Sequence, residues 1–129
     1  MEIWGKNVLI NLCSCNLYKI RDRDNILSWG DHLVKKIEMI PYGEPFLERF
    51  SLHNIKAAGY TYFQAIETSN ITAHFSENNN GVFINIFSCK DFKHNDVVSV
   101  CNDFFNFNMF HSKIFNVLED GRMIETCLT

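Results

Sequence analysis

Proline is scarce in this chain, with two in 129 residues, and glycine, with six, is no more than ordinary. Collagen-like and proline-rich linker architectures are excluded by that scarcity. Long hydrophobic runs are missing as well: Val8 to Leu12 is too short to cross a membrane. The N-terminus carries no basic region, long apolar stretch and small-residue cleavage site in succession, so no secretory signal is expected and the compartment reads as cytoplasmic. Charge of one sign is lacking too. The formal net charge is -3, both signs are dispersed, and no basic stripe points to nucleic acid. There is no G-x-S-x-G elbow for a serine hydrolase and no glycine-rich loop for nucleotide phosphates.

What is present is apolar. Hydrophobic residues make up 47% of the chain and twelve are Phe, enough for a single globular domain over 1–129. The cysteines Cys13, Cys15, Cys89, Cys101 and Cys127 are odd in number, which suits reduced thiols. Cys13 and Cys15 share a strand face, but no nearby Cys/His pair has zinc spacing, so they read as buried or strand-end thiols and no metal is expected.

Periodicity orders the elements. Val8 to Cys15 reads as a first strand, central in its sheet. Asp24 or Asn25 caps a helix whose apolar face is Ile26, Trp29, Leu33, Ile37 and Ile40, stopped by Pro41-Tyr42-Gly43. Strands follow at Glu44 to His53, Tyr60 to Glu67, Ile71 to Ser76 and Val82 to Ser88. Thr68-Ser69-Asn70 forms a tight break, and Asn78-Asn79-Asn80-Gly81 a hairpin turn. Asn95 or Asp96 caps a second helix with Val97, Cys101, Phe104 and Phe105 on its face. Ser112 to Leu118 is a last strand, and the tail after Gly121 is loose. The order β-α-β-β-β-β-α-β predicts an α+β two-layer sandwich, a largely antiparallel sheet with two helices on one face.

Three residues of reactive type fall within this strand region. Ser69 sits in a turn, His74 follows on a strand face with Thr72 and Ser76, and Cys89 ends an apolar strand. Taken singly, each has an ordinary reading: a turn serine, a hydrogen-bonded strand histidine and a buried thiol.

Their order and spacing resemble the short bacterial S-adenosylmethionine decarboxylase proenzymes. The resemblance covers nearly the whole chain. Trp4-Gly5-Lys6-Asn7 before the first strand is similar to the family's opening, with Asn7 where the family has His. His53-Asn54-Ile55 before Gly59-Tyr60-Thr61 is similar to the family's His-Arg-Phe before Gly-Val-Ser. Glu67 to His74 resembles Glu-Ser-His-Leu-Thr-Ile-His, and Val82 to Cys89 resembles the strand ending in Phe-Thr-Cys.

The resemblance implies a pyruvoyl-dependent decarboxylase, a carbon-carbon lyase of polyamine and spermidine biosynthesis, made as a zymogen. Ser69 would attack the Thr68 carbonyl, and autocatalytic cleavage between Thr68 and Ser69 would turn Ser69 into the pyruvoyl cofactor that holds substrate as a Schiff base. Thr61 matches the processing serine, His74 the processing base and Cys89 the proton donor. Ile55, Phe75 and Glu77 fall where substrate is bound. A small-molecule substrate and a homodimer with active sites near the protomer interface are implied as well.

Three departures accompany the match. Thr68 stands where the family has Glu, with Glu67 one position earlier. Ile55 replaces an aromatic that stacks on adenine. Phe75-Ser76-Glu77-Asn78 replaces Thr-Trp-Pro-Glu. They motivate two alternatives. One is a pyruvoyl decarboxylase of ornithine or arginine, with Glu77, Asp91 or Glu67 pairing the substrate cation. The other is an unprocessed, non-catalytic homologue.

Overall fold

The computed structural model describes residues 2–127, so Met1, Leu128 and Thr129 lie outside the described residues. Seven strands form one sheet in the order β2-β3-β4-β5-β1-β6-β7. They are β1 (Ile3–Cys13), β2 (Phe46–Phe50), β3 (Gly59–Ile66), β4 (Ser69–Ser76), β5 (Gly81–Ser88), β6 (Met109–Leu118) and β7 (Met123–Thr126). Every neighbouring pair is antiparallel. Two helices, α1 (Arg23–Lys36) and α2 (His94–Phe105), cover one face, giving the expected two-layer α+β sandwich. No helix among the described residues is long and apolar enough to cross a membrane.

Strand alternation builds the core. Val8, Ile10 and Leu12 of β1, Ile71, Ala73 and Phe75 of β4, and Val82, Ile84 and Ile86 of β5 are all buried against the helices. Trp29 of α1 is the hub. Its ring lies 5.1 Å from Tyr62, 5.8 Å from Phe75 and 5.4 Å from Phe105, centroid to centroid. Gly30, inside α1, is required by the same packing: a Cβ there would sit 2.1 Å from the Tyr62 hydroxyl. Gly59 opens β3 at φ +151°, and a Cβ would meet the Phe75 carbonyl at 1.7 Å, so only glycine lets the two strands approach.

Several boundaries differ from the sequence reading. Asp22, not Asp24 or Asn25, caps α1 by accepting the amide protons of Asp24 and Asn25. Asn25 instead ties the Lys19 carbonyl to the Phe104 carbonyl. The helix ends at Lys36 because Glu38 turns left-handed at φ +58°, well before Pro41, and Ile40 is exposed. α2 begins at His94, ahead of both expected caps. The break before β4 is the pair Glu67–Thr68, and Ser69 already belongs to the strand. The tail is not loose over Met123–Thr126, which pairs with β6 as the edge strand β7.

Among the described residues, no helix covers the other face of the sheet. Leu9, Phe63 and Phe83 are exposed there, with Asn7, Asn85, Phe87 and Phe115 between them. Phe46 and Phe50 stack at its β2 edge with ring centroids 6.1 Å apart.

Candidate active site

The tight connection between β3 and β4 places Thr68 and Ser69 at one end of the sheet. Register fixes their neighbours: Ser69 lies opposite Ile66 on β3 and opposite Ser88 on β5. Cys89 follows Ser88 directly, so pairing of β4 with β5 brings the cysteine to the serine. The contact is through the main chain. The Cys89 amide N–H donates to the Thr68 carbonyl oxygen at 3.2 Å. That carbonyl belongs to the bond between Thr68 and Ser69. A donor aimed at it withdraws electrons from the carbonyl carbon and would stabilise negative charge on its oxygen.

Side chains secure the same turn. The Thr68 and Ser88 hydroxyl oxygens are 2.7 Å apart, and Ser88 is fully buried. Asn70 Nδ2 donates to Ser69 Oγ at 2.9 Å. The Cys89 side chain is exposed and lines a cleft of about 390 Å³ with Trp4, Gly5, Lys6, Asp91 and Asn116. Lys6 pairs with Asp91 at 2.7 Å and donates to the Phe92 carbonyl at 2.6 Å. The Lys6 ammonium beside it, through a hydrogen bond above all, holds the Asp91 carboxyl below its usual range.

His74 and Thr61 are not at this end. They face each other across β3 and β4, with Thr61 Oγ1 3.3 Å from His74 Nδ1. His74 lies five residues along the strand from Ser69, roughly 16 Å of extended chain. Thus the structure brings Thr68, Ser69 and Cys89 together and makes a separate pair of Thr61 and His74.

The substrate-binding expectations fare unevenly. Phe75 points into the core, fully buried between Trp29 and Phe105, so it has no surface to offer a ligand; that expectation is corrected. Ile55 is exposed and lines a cleft of about 560 Å³ with Leu52, Ala58, Glu77, Asn78, Arg21 and Arg49. Glu77 is already engaged there. Arg49 Nε and Nη2 donate to its two carboxylate oxygens at 2.7 and 2.6 Å. That bidentate pair, more than any other cause, pulls the Glu77 carboxyl below its usual range. Asp91 is likewise committed to Lys6. Glu67, exposed on the turn, forms no ion pair among the described residues.

Two of the five thiols are buried beyond chemistry. Burial pushes both Cys15 and Cys101 up to about 12. Ser88 and the Cys89 amide were not singled out in the sequence. A signal for Ser88 existed: it continues the core-facing series Ile84, Ile86, where a hydroxyl has no apolar reason to be.

A family model for S-adenosylmethionine decarboxylase matches residues 6–116. The chain belongs to the S-adenosylmethionine decarboxylase family. The match spans both strand-end residues, Ser69 and Cys89, and the Thr61–His74 pair. Among solved structures, the chain is similar to the adenosylmethionine decarboxylase from Aquifex aeolicus. Identity is 14%, the alignment covers 95% of this chain and 98% of that one, and the TM-score is 0.75, a likeness of fold. No curated protein matches by sequence.

Proposed function

We propose that the chain is the proenzyme of a pyruvoyl-dependent S-adenosylmethionine decarboxylase that serves polyamine synthesis. The observation that carries the reading is the Cys89 amide donating to the Thr68 carbonyl, one residue before a serine. Ser69 Oγ adds to the Thr68 carbonyl carbon. The carbonyl oxygen takes the developing charge against the Cys89 N–H. The C–N bond breaks with its electron pair going to nitrogen, which gains the hydroxyl proton, leaving an ester. Removal of the Ser69 Cα proton then expels the Thr68 carboxylate. The remaining dehydroalanine takes up water and loses ammonia, leaving a pyruvoyl group at residue 69.

The residues present fit that group: a serine at a strand start, a polarised carbonyl before it and an exposed thiol beside it. A pyruvoyl group supplies a keto carbonyl that takes up an amine and draws electrons from the bond to the departing carboxyl. Cys89 holds a proton at the mouth of the 390 Å³ cleft, where it can be given to the substrate carbon that loses carbon dioxide.

His74 is the processing base in this reading and, lying five residues along the strand from Ser69, would act from another copy. We propose a homodimer packed through the open sheet face, so that Thr61 and His74 of the partner subunit meet Ser69 and Cys89. The exposed Leu9, Phe63 and Phe83 on that face favour burial by a second copy.

Intact mass under denaturing conditions tests the reading. Two fragments, residues 1–68 and a second chain from 69 lacking its amino nitrogen, are expected. Ser69→Ala stays uncut and inactive. A wild-type chain that stays whole after long incubation overturns self-cleavage and leaves the unprocessed homologue.

A second reading, decarboxylation of ornithine or arginine, is favoured by Ile55 and Glu67. Ile55 gives no π face for adenine, and Glu67, beside the scissile bond, forms no ion pair among the described residues. Carbon dioxide release from ornithine or arginine, with none from S-adenosylmethionine, selects it.

A further inference from the structure

We propose that the Thr68 and Ser88 hydroxyls form a latch that sets the scissile carbonyl on the Cys89 amide, which makes both of them positioning residues for self-cleavage. The inference rests on the self-cleavage reading and goes beyond it in assigning these two side chains a task.

Two ties join residue 68 to the end of β5, and a third secures Ser88 itself. The first is the hydroxyl pair, Thr68 Oγ1 to Ser88 Oγ at 2.7 Å. The second is the Thr68 carbonyl on the Cys89 N–H at 3.2 Å. The third is indirect: the Lys90 amide N–H donates to Ser88 Oγ at 3.0 Å, so Ser88 is itself held by the chain that carries Cys89. Met39 closes the pocket from the α1 side, its sulfur 3.5 Å from Thr68 Oγ1 and 3.7 Å from Ser88 Oγ.

The geometry explains why two ties are needed. A single hydrogen bond from the Cys89 amide leaves the Thr68 peptide free to rotate about it. A second attachment through the side chain of the same residue removes that freedom. The carbonyl then stays aimed at its donor while Ser69 Oγ approaches, and such alignment governs the rate of an intramolecular attack. A hydroxyl with no exposure costs free energy unless it is bonded, so Ser88 is a poor choice for packing alone. Thr68 stands at the position where the family carries Glu. This chain secures the turn with neutral hydroxyls. After the cut, the same bond would keep Thr68, by then the C-terminus of the first fragment, beside β5.

The test is a time course of self-cleavage, read by denatured mass, on wild type, Thr68→Val, Thr68→Ser, Ser88→Ala and the double variant T68V/S88A. Thr68→Val keeps the shape and removes the hydroxyl, and it is expected to slow cleavage by about tenfold or more. Thr68→Ser keeps the hydroxyl and stays within about threefold of wild type. Ser88→Ala slows like Thr68→Val, and the double variant is no slower than the worse single one, because the Thr68–Ser88 hydroxyl pair is the tie that both remove. Thermal midpoints are recorded alongside. A structural role alone would lower them and leave the cleavage rate of folded protein unchanged. Should Ser88→Ala fail to fold, the half-buried Thr68 pair of variants still decides. Wild-type cleavage by Thr68→Val overturns the latch, as does equal slowing in Thr68→Ser and Thr68→Val. An uncut wild type overturns the self-cleavage reading and the latch with it, a result distinct from either.

Discussion

Thr61 and His74 face each other across β3 and β4 with 3.3 Å between Oγ1 and Nδ1, and neither lies at the strand end that holds Ser69. In the proposed mechanism the His74 that takes the Ser69 Cα proton comes from another copy. Complementation checks the consequence. Ser69→Ala and His74→Ala are each expected to remain uncut when made alone. Made together, they are expected to form mixed dimers in which an intact Ser69 meets an intact His74 of the partner subunit. The His74→Ala chain is then cut and the Ser69→Ala chain is not, as intact mass will record. Absence of cutting in mixed dimers shown to form would place the base within one chain.

In the proposed mechanism Cys89 acts twice, through its amide and through its thiol. The two roles separate in Cys89→Ala, which keeps the amide N–H and loses the thiol. Self-cleavage should continue, because the Thr68 carbonyl keeps its donor. Turnover should fall by about 10²-fold or more, the ordinary worth of a placed proton donor. Carbon dioxide release from the cleaved variant measures it. Unchanged turnover removes the thiol from the mechanism.

Phe75 is a core residue, and its substitution should act on stability. Phe75→Ala opens a hole between Trp29 and Phe105 and is expected to cost about 3–5 kcal/mol. Chemical denaturation gives the value. A substrate-binding role would instead raise KM at unchanged stability.

Much of this arrangement was legible from local pattern. The alternation of Val8, Ile10 and Leu12, the run Ile71-Thr72-Ala73, and the Asn78–Gly81 turn each specify their strand without distant information. Strand parity also put Phe75 with Ile71 and Ala73 in the core, and the resemblance to a family drew it toward a ligand role instead. What was not legible depended on partners far along the chain. β7 is a short, exposed edge strand whose only cause is β6, so Met123–Thr126 read as a tail. The end of α1 was hidden because Ile37 and Ile40 keep the apolar period past Lys36, while Glu38 turns left-handed and leaves the helix. Ser69 and His74 looked adjacent because five residues is a short step in sequence. On an extended strand it is a long one in space.

The Glu77–Arg49 pair gives stability a dependence on acid. Glu77 is buried, accepts two hydrogen bonds from the Arg49 guanidinium, and its carboxyl is held below the ordinary value of 4.5. A carboxyl whose folded pKa is lowered contributes stability that is fully present above the unfolded value. That contribution is lost as pH falls through the lower, folded value, because the unfolded chain takes up the proton first. Unfolding free energy should therefore decline on acidification from about pH 4.5 downward. Glu77→Gln should flatten that decline and cost about 1–3 kcal/mol at neutral pH, since Arg49 is left with no carboxylate. The estimate stays modest because the Arg49 side chain is 45% exposed and water screens it. Denaturant melts of both proteins at a series of pH values provide the check. Parallel curves for wild type and Glu77→Gln would show that the acid limb has another source.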